Sequence, residues 1–230
     1  MRHLRIGTRG SLLAKWQAEF VRKQLFQATG VEAEIVIIRT AGDKMQQVPL
    51  TQIGGKGVFI KELEEALLDE TIDLAVHSVK DVPTDTPSRL CFPAVCRRDD
   101  VRDCLVSANG AALANLRQGA RVGTSSLRRQ AQLRHIRPDL DIRELRGNVD
   151  TRLRKVESGE YEAILLAKAG LDRLGLSQRI TEILSPDLCM PAVGQGAIAV
   201  ETRPGAGTTF RIFFPTIKDD GLADRIVESN

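Results

Sequence analysis

Four short polar motifs hold the residues able to do chemistry. The first is Gly7-Thr8-Arg9-Gly10-Ser11. A strand pattern ends there and a helix pattern follows, so Ser11 reads as a helix N-cap. Arg9 then stands beside a helix N-terminus, whose free N–H groups attract anions. A capped helix with a solvated arginine is the plainer reading. The second motif is His77-Ser78-Val79-Lys80-Asp81-Val82-Pro83, also at a strand end. Loops on rigid strands present side chains into clefts, and Asp81 can serve there as a general acid or as a stabiliser of a cation. The alternative is a polar turn closed by Pro83 and Pro87. His77 alone reads as a hydrogen-bonded structural histidine, because no second histidine stands at metal-ligand spacing; no metal is expected.

The third motif is Gly123-Thr124-Ser125-Ser126-Leu127-Arg128-Arg129-Gln130. Three hydroxyl residues precede a helix whose first turn carries two arginines. Cations there oppose the helix dipole, which favours an anion site over a merely solvated face. Guanidinium groups grip carboxylates through paired hydrogen bonds. The fourth motif, Leu145-Arg146-Gly147-Asn148-Val149-Asp150-Thr151-Arg152, repeats the plan: strand, glycine turn, Asn148 cap, then a helix with Arg152 one turn in. Gly147 lets a ligand approach the backbone closely. Arginines from several loops facing one cleft suit a ligand with several carboxylates better than a single phosphate. Neither a P-loop nor a dinucleotide fingerprint is present.

The elements that must position these motifs alternate between strands and helices. Leu4 to Thr8 reads as a strand, followed by a helix with Ala14, Ala18, Val21 and Leu25 at helical spacing. Glu34 to Ile38 is a continuous apolar run, expected to be a strand buried on both faces. Ile60 to Glu70 is a helix with Leu63, Ala66 and Leu67 on one face, and Asp73 to Val76 the next strand. After a strand-rich stretch from Leu90 to Ser107 the rhythm resumes. Arg121 to Gly123 is a strand, Leu127 to Ile136 a helix, Leu140 to Leu145 a strand, Val149 to Ser158 a helix and Ala163 to Ala167 a buried strand. Two α/β units joined by strand-like links imply two lobes with a cleft between them. Ligands of open α/β sheets bind beyond the carboxyl ends of the strands, where the four motifs lie. The segment Gly42 to Gly57 lacks periodicity and reads either as a lid or as a surface loop.

The 230 residues are 42% hydrophobic, as in an ordinary globular protein, with no apolar run long enough to span a bilayer. The formal charge of +3 and the 4% aromatic content argue against a nucleic-acid partner. Met1 to Ile6 lack the apolar core of a signal peptide, so a cytoplasmic location is expected. Cys91, Cys96, Cys104 and Cys189 have no paired metal spacing and are expected as reduced thiols.

Taken in order, the four motifs resemble the porphobilinogen deaminase (hydroxymethylbilane synthase) family. So do Gly54-Gly55-Lys56-Gly57-Val58-Phe59, Ala167-Lys168-Ala169-Gly170-Leu171 and Pro191-Ala192-Val193-Gly194-Gln195-Gly196. The likeness covers residues 3 to about 203 and resumes weakly at Asp219-Asp220-Gly221-Leu222-Ala223. It implies an α/β fold of two lobes resembling type II periplasmic binding proteins, with a third α/β domain. It implies an enzyme of tetrapyrrole and haem biosynthesis, a transferase that condenses four porphobilinogen molecules head to tail and releases ammonia. The chain grows on a dipyrromethane cofactor held by a cysteine thioether of the third domain. The resemblance makes Asp81 the catalytic aspartate. It makes Arg9, Arg128, Arg129, Arg146 and Arg152 the binders of acetate and propionate groups. Ser11, Ser78, Lys80, Thr124, Ser125, Ser126, Gly147 and Gln195 supply further contacts, and Lys56 lies in a loop over the cleft.

Two departures from the family pattern stand out. Pro204 to Lys218 intervene where the family runs on directly, and this stretch resembles the closing segment of a histidine-kinase ATPase domain too briefly to imply ATP binding. The chain also stops at Asn230, where the third domain and its cofactor-bearing cysteine are expected. The expected organisation is therefore a first lobe of 1–97 plus 192–218, with 204–218 an atypical insert, a second lobe of 98–191, and 219–230 as the stub of a third domain. On that reading turnover by this form is impaired and its state monomeric, with self-association favoured by apolar surface that loss of the third domain exposes. Two rivals are a non-catalytic two-lobe binding module for a polycarboxylate and a product whose fold outlives its activity.

Overall fold

The computed structural model describes residues 3–44 and 59–205. Lys56, the rest of Gly54 to Val58, most of the 204–218 segment and the 219–230 segment lie outside the described residues.

The chain opens with β1 (Leu4–Thr8), α1 (Leu12–Thr29) and β2 (Ala33–Ile37). Ser11 Oγ accepts from the Ala14 N–H at 3.2 Å, satisfying one of the free donors of the first turn of α1. The helix ends at Gly30, whose φ of 69° is the left-handed cap that glycine adopts without Cβ strain. Between these ends Ala18, Val21 and Leu25 are buried against the sheet. A short α2 (Ala41–Lys44) follows, then α3 (Lys61–Leu68), which buries Leu63 and Leu67, and β3 (Leu74–Ser78). Next come β4 (Cys91–Val95) and β5 (Asp103–Ser107), then β6 (Arg121–Gly123), α4 (Leu127–Ile136) and β7 (Asp141–Arg143). The described chain closes with α5 (Val149–Glu157), β8 (Ala163–Ala167), α6 (Lys168–Arg173), β9 (Glu182–Ile183) and β10 (Ile198–Thr202).

These strands form two separate five-stranded sheets, ordered β2-β1-β3-β10-β4 and β7-β6-β8-β5-β9. In the first, β1 runs parallel to β2 and β3, while β10 is inserted antiparallel between β3 and β4. In the second, β6 runs parallel to β7 and β8, and β5 lies antiparallel between β8 and β9. The chain thus leaves the first sheet after β4, builds the second, and returns to the first as β10. Each sheet carries apolar clusters of its own. Ile6, Leu74, Val76 and Ile198 pack with α1 in the first. Leu105, Val122, Leu133 and Leu165 form one cluster in the second, and Ile164, Leu153 and Val156 another.

The two crossings between the sheets lie against each other. Arg98 Nε donates to the Gln195 carbonyl at 2.9 Å, and the Asp99 N–H donates to the Gly196 carbonyl at 3.1 Å. Arg173 of α6 clamps the same place, donating to Asp99 at 2.9 Å and to the Gly196 carbonyl at 2.7 Å.

Several expectations need correction. The apolar run at β2 is not a strand buried on both faces. It is the edge strand of the first sheet, with Glu34 exposed and Ile37 45% exposed, because β1 covers only one of its hydrogen-bonding edges. The strand expected over Leu140 to Leu145 is only Asp141–Arg143. Asn148 occupies the N-cap position of α5, but its side chain makes no capping bond.

Candidate functional site

A cleft of about 410 Å³ opens where the parallel strands of both sheets end. Arg9 and Ser11 follow β1 into it, and Ser78, Lys80 and Asp81 follow β3. From the second sheet Thr124, Ser125, Ser126, Arg128 and Arg129 follow β6, while Arg146, Gly147 and Arg152 follow β7. Gln195 enters from the returning crossing. Every candidate from the sequence that lies among the described residues therefore lines one cavity.

Arg9 is held from two sides. Its guanidinium donates to Asp43 at 2.5 Å and stacks over the Phe59 ring at 4.0 Å. Phe59 in turn packs against Gly42, where an added Cβ would come within 2.1 Å of the ring. Burial pushes the Asp43 carboxyl up, but the hydrogen bond and charge of Arg9 outweigh it and hold its pKa below the usual range. Sequence reasoning missed Asp43, since nothing in the local pattern ties it to a residue 34 positions earlier.

Asp81 ends the 3-10 turn Val79–Asp81 that continues β3, and its carboxylate is exposed to the cleft. Its neighbour Lys80 is exposed within the cleft, yet protein groups crowd around it on the remaining sides. That desolvation, opposed by Asp81 and Asp103 and reinforced by Arg129 and Arg152, lowers its pKa to about 8. Arg152 donates to the Gly147 carbonyl at 2.7 Å. Burial, then Arg129 and Arg146, lower the Arg152 pKa to about 10 against the opposing pull of Asp81. Gly147 has φ 112°, and a Cβ there would meet Thr151 at 2.9 Å, so glycine is required for this turn. Ser78 accepts from the buried Gln17 amide at 2.9 Å, and Ser125 donates to the Leu145 carbonyl. Ser126 caps α4 by accepting from the Arg129 N–H at 3.4 Å, and Thr124 Oγ1 accepts from the Ser126 N–H at 3.2 Å.

The arginine pair at the start of α4 corrects the sequence reading in part. An anion does sit opposite it, and that anion is internal. The Asp103 carboxylate accepts from Arg128 at 2.7 Å and from Arg129 at 2.6 Å. Arg129 also donates to the Leu165 carbonyl at 3.0 Å, and its Nε finds no hydrogen-bond partner among the described residues. His77 is an interior residue outside the cleft. Its Nε2 lies 2.9 Å from Glu201.

Seven cationic side chains from both sheets thus share the cleft with the carboxylates of Asp43, Asp81 and Asp150. The fold and site define a two-lobe α/β protein with a cation-lined cleft. Solved structures of that shape include a periplasmic substrate-binding protein of an ABC transporter from Coxiella burnetii, at TM-score 0.51 and 15% identity over 87% of this chain and 85% of that one. Another is the second substrate-binding domain of an amino acid ABC transporter from Streptococcus pneumoniae, at TM-score 0.52 and 14% identity over 90% of this chain and 87% of that one. At such identities the likeness is one of fold.

The family model described as "Porphobilinogen deaminase, dipyromethane cofactor binding domain" matches residues 4–210, and the chain belongs to this family. The porphobilinogen deaminase of Syntrophotalea carbinolica is 56% identical over 213 residues, which are 92% of this chain and 68% of the relative. That of Geobacter sulfurreducens is 53% identical over 88% of this chain and 64% of the relative. The chain spans about two thirds of the length of these relatives. No described helix is long and apolar enough to cross a membrane.

Proposed function

We propose that this chain supplies the substrate- and cofactor-binding lobes of a porphobilinogen deaminase, the transferase that joins porphobilinogen units head to tail with release of ammonia. The observation that carries this reading is the convergence of Arg9, Lys80, Arg128, Arg129, Arg146 and Arg152 on one cavity beside Asp81. Each pyrrole unit brings an acetate and a propionate, so the ligand gathers negative charge as it grows, and a cation-rich cleft suits it. The lobes on this reading are residues 1–97 with the return from 192 onward, and residues 98–191. A cytoplasmic, monomeric protein is part of the same proposal.

The residues present fit dipyrromethane. Its carboxylates would meet the arginines and Lys80, and the partnerless Nε–H of Arg129 offers a donor that a carboxylate can fill. When bound, the group supplies the pyrrole carbon on which the chain is extended. This chain's residues do the rest. The arginines and the serine hydroxyls orient carboxylates. Asp81, on the Val79–Asp81 turn at the cleft, would accept hydrogen bonds from pyrrole N–H groups and stabilise the cation that develops as ammonia departs.

Two results are expected from titration calorimetry with porphobilinogen. Arg128→Leu and Arg146→Leu each lose about 1.5–3 kcal/mol of binding, the range for a charge-assisted hydrogen bond. Unchanged affinity in both defeats the assignment. The second concerns pH. Lys80, with a pKa lowered to about 8, is an ammonium below that pH and a neutral amine above it. Carboxylate binding favours the ammonium, so affinity falls as pH rises through about 8, and porphobilinogen binding near that pH takes up protons. Lys80→Met should flatten this dependence while the arginines, still charged, keep the residual affinity.

A further inference from the structure

The buried Asp103 carboxylate lies outside the cleft lining, yet it touches three of the residues that form it. Its side chain is 0% exposed, and four donors surround it. Arg128 and Cys189 Sγ approach Oδ2 at 2.7 and 3.3 Å, and Arg129 and Gln195 approach Oδ1 at 2.6 and 2.8 Å. An ionised carboxylate offers about four acceptor positions, so this one is saturated. Burial pushes its pKa up, but Arg129, Gln195 and Arg128 outweigh it and leave the value at about 2. It stays charged throughout the neutral range.

The Gln195 amide is oriented by the same contact. Its Nε2 donates to Asp103 at 2.8 Å and to the Val101 carbonyl at 2.7 Å. Its Oε1 is thereby turned toward Lys80 Nζ, 3.5 Å away. A continuous path runs from the arginine pair of the second sheet, through Asp103 and Gln195, to the lysine beside Asp81 on the first. The arginines have their own need of it. They sit in the first turn of α4, which contains no acidic residue, and a buried carboxylate offsets the unfavourable dipole there.

We propose that Asp103 is a positioning residue for the cleft, holding Arg128 and Arg129 directly and Lys80 through Gln195, so that both walls present their cations in fixed register. The proposal rests on the binding function given above. Asp103 itself never meets the ligand.

Asp103→Asn in the 230-residue chain tests it by three readouts. Side-chain NMR of Arg128 and Arg129 should show guanidinium groups with slow rotation in the wild type and free rotation in D103N. The Lys80 titration midpoint should move below its wild-type value, because the lost charge of Asp103 favoured the ammonium. Affinity for porphobilinogen should fall by at least about ten-fold, the equivalent of one charged hydrogen bond. A folded D103N with unchanged arginine dynamics and an unchanged Lys80 midpoint overturns the proposal. If the wild type binds no porphobilinogen, the functional reading fails, and the arginine and lysine readouts still decide the role of Asp103. If D103N does not fold, Gln195→Met severs the path to Lys80 alone. A wild-type Lys80 midpoint and affinity in Q195M then overturn it equally.

Discussion

Replacing His77 by Leu is expected to cost about 1–3 kcal/mol of folding stability, the range for leaving a buried hydrogen-bonding group without its partner. His77 lies on β3 and Glu201 on β10, which pair antiparallel in the centre of the first sheet. Their side chains are 3% and 0% exposed and meet at 2.9 Å. Phe92 covers the imidazole edge-on, with ring centroids 6.1 Å apart. Glu201 Oε1 has no hydrogen-bond partner among the described residues, so His77 is the contact that compensates the carboxylate. Leucine would leave that buried carboxyl without its hydrogen-bond partner, at the cost of an unsatisfied buried polar group. The double variant H77L/E201L removes both polar groups and should recover most of the loss. Urea unfolding of the two variants is the check, and a single-variant loss below about 1 kcal/mol would show that the carboxylate finds other compensation.

Gly196→Ala is expected to act at the crossing between the sheets, with a loss of about 2–4 kcal/mol from left-handed strain and overpacking together. Gly196 has φ 87°, and an alanine Cβ would lie 2.7 Å from the Asp99 carbonyl oxygen and 3.3 Å from that of Asp100. These obstacles are backbone atoms of the other crossing, so no side-chain rotation relieves them. The two crossings must part, and the bonds from Asp99 N–H and Arg173 to the Gly196 carbonyl lengthen with them. Because Gln195 precedes this glycine and Arg173 lines the cleft, the lobes should also lose their mutual setting. The expected signature is a lowered urea midpoint together with weaker porphobilinogen binding. Gly30→Ala is the control, since it shares a positive φ but has nothing within 4 Å of its added Cβ. Equal losses in the two variants would reduce the Gly196 effect to backbone strain.

Much of this molecule is written locally. The start of α1 follows from Ser11, and its end from Gly30. Leu127–Ile136, Arg121–Gly123 and Ala163–Ala167 are legible because helical spacing and short apolar runs bounded by glycine are local signals. The cleft residues were legible for the same reason. Ligand-facing side chains gather in turns at strand ends, and those turns have a recognisable composition.

Other features depend on the tertiary structure. A run of apolar residues cannot report which place its strand takes in the sheet, so β2 reads as a strand buried on both faces and stands at the edge. The arginine pair of α4 announces an anion but not its source. Asp103 stands 25 positions before Arg128 and 92 before Gln195, and an aspartate at a strand start looks like any other. The same holds for Asp43 with Arg9, and for Glu201 with His77, 124 positions apart. Buried charges need partners, and the chain can supply them from any distance once β10 has returned to the first sheet. Local chemistry determined where the cations stand; only the folded topology decided which carboxylates hold them there.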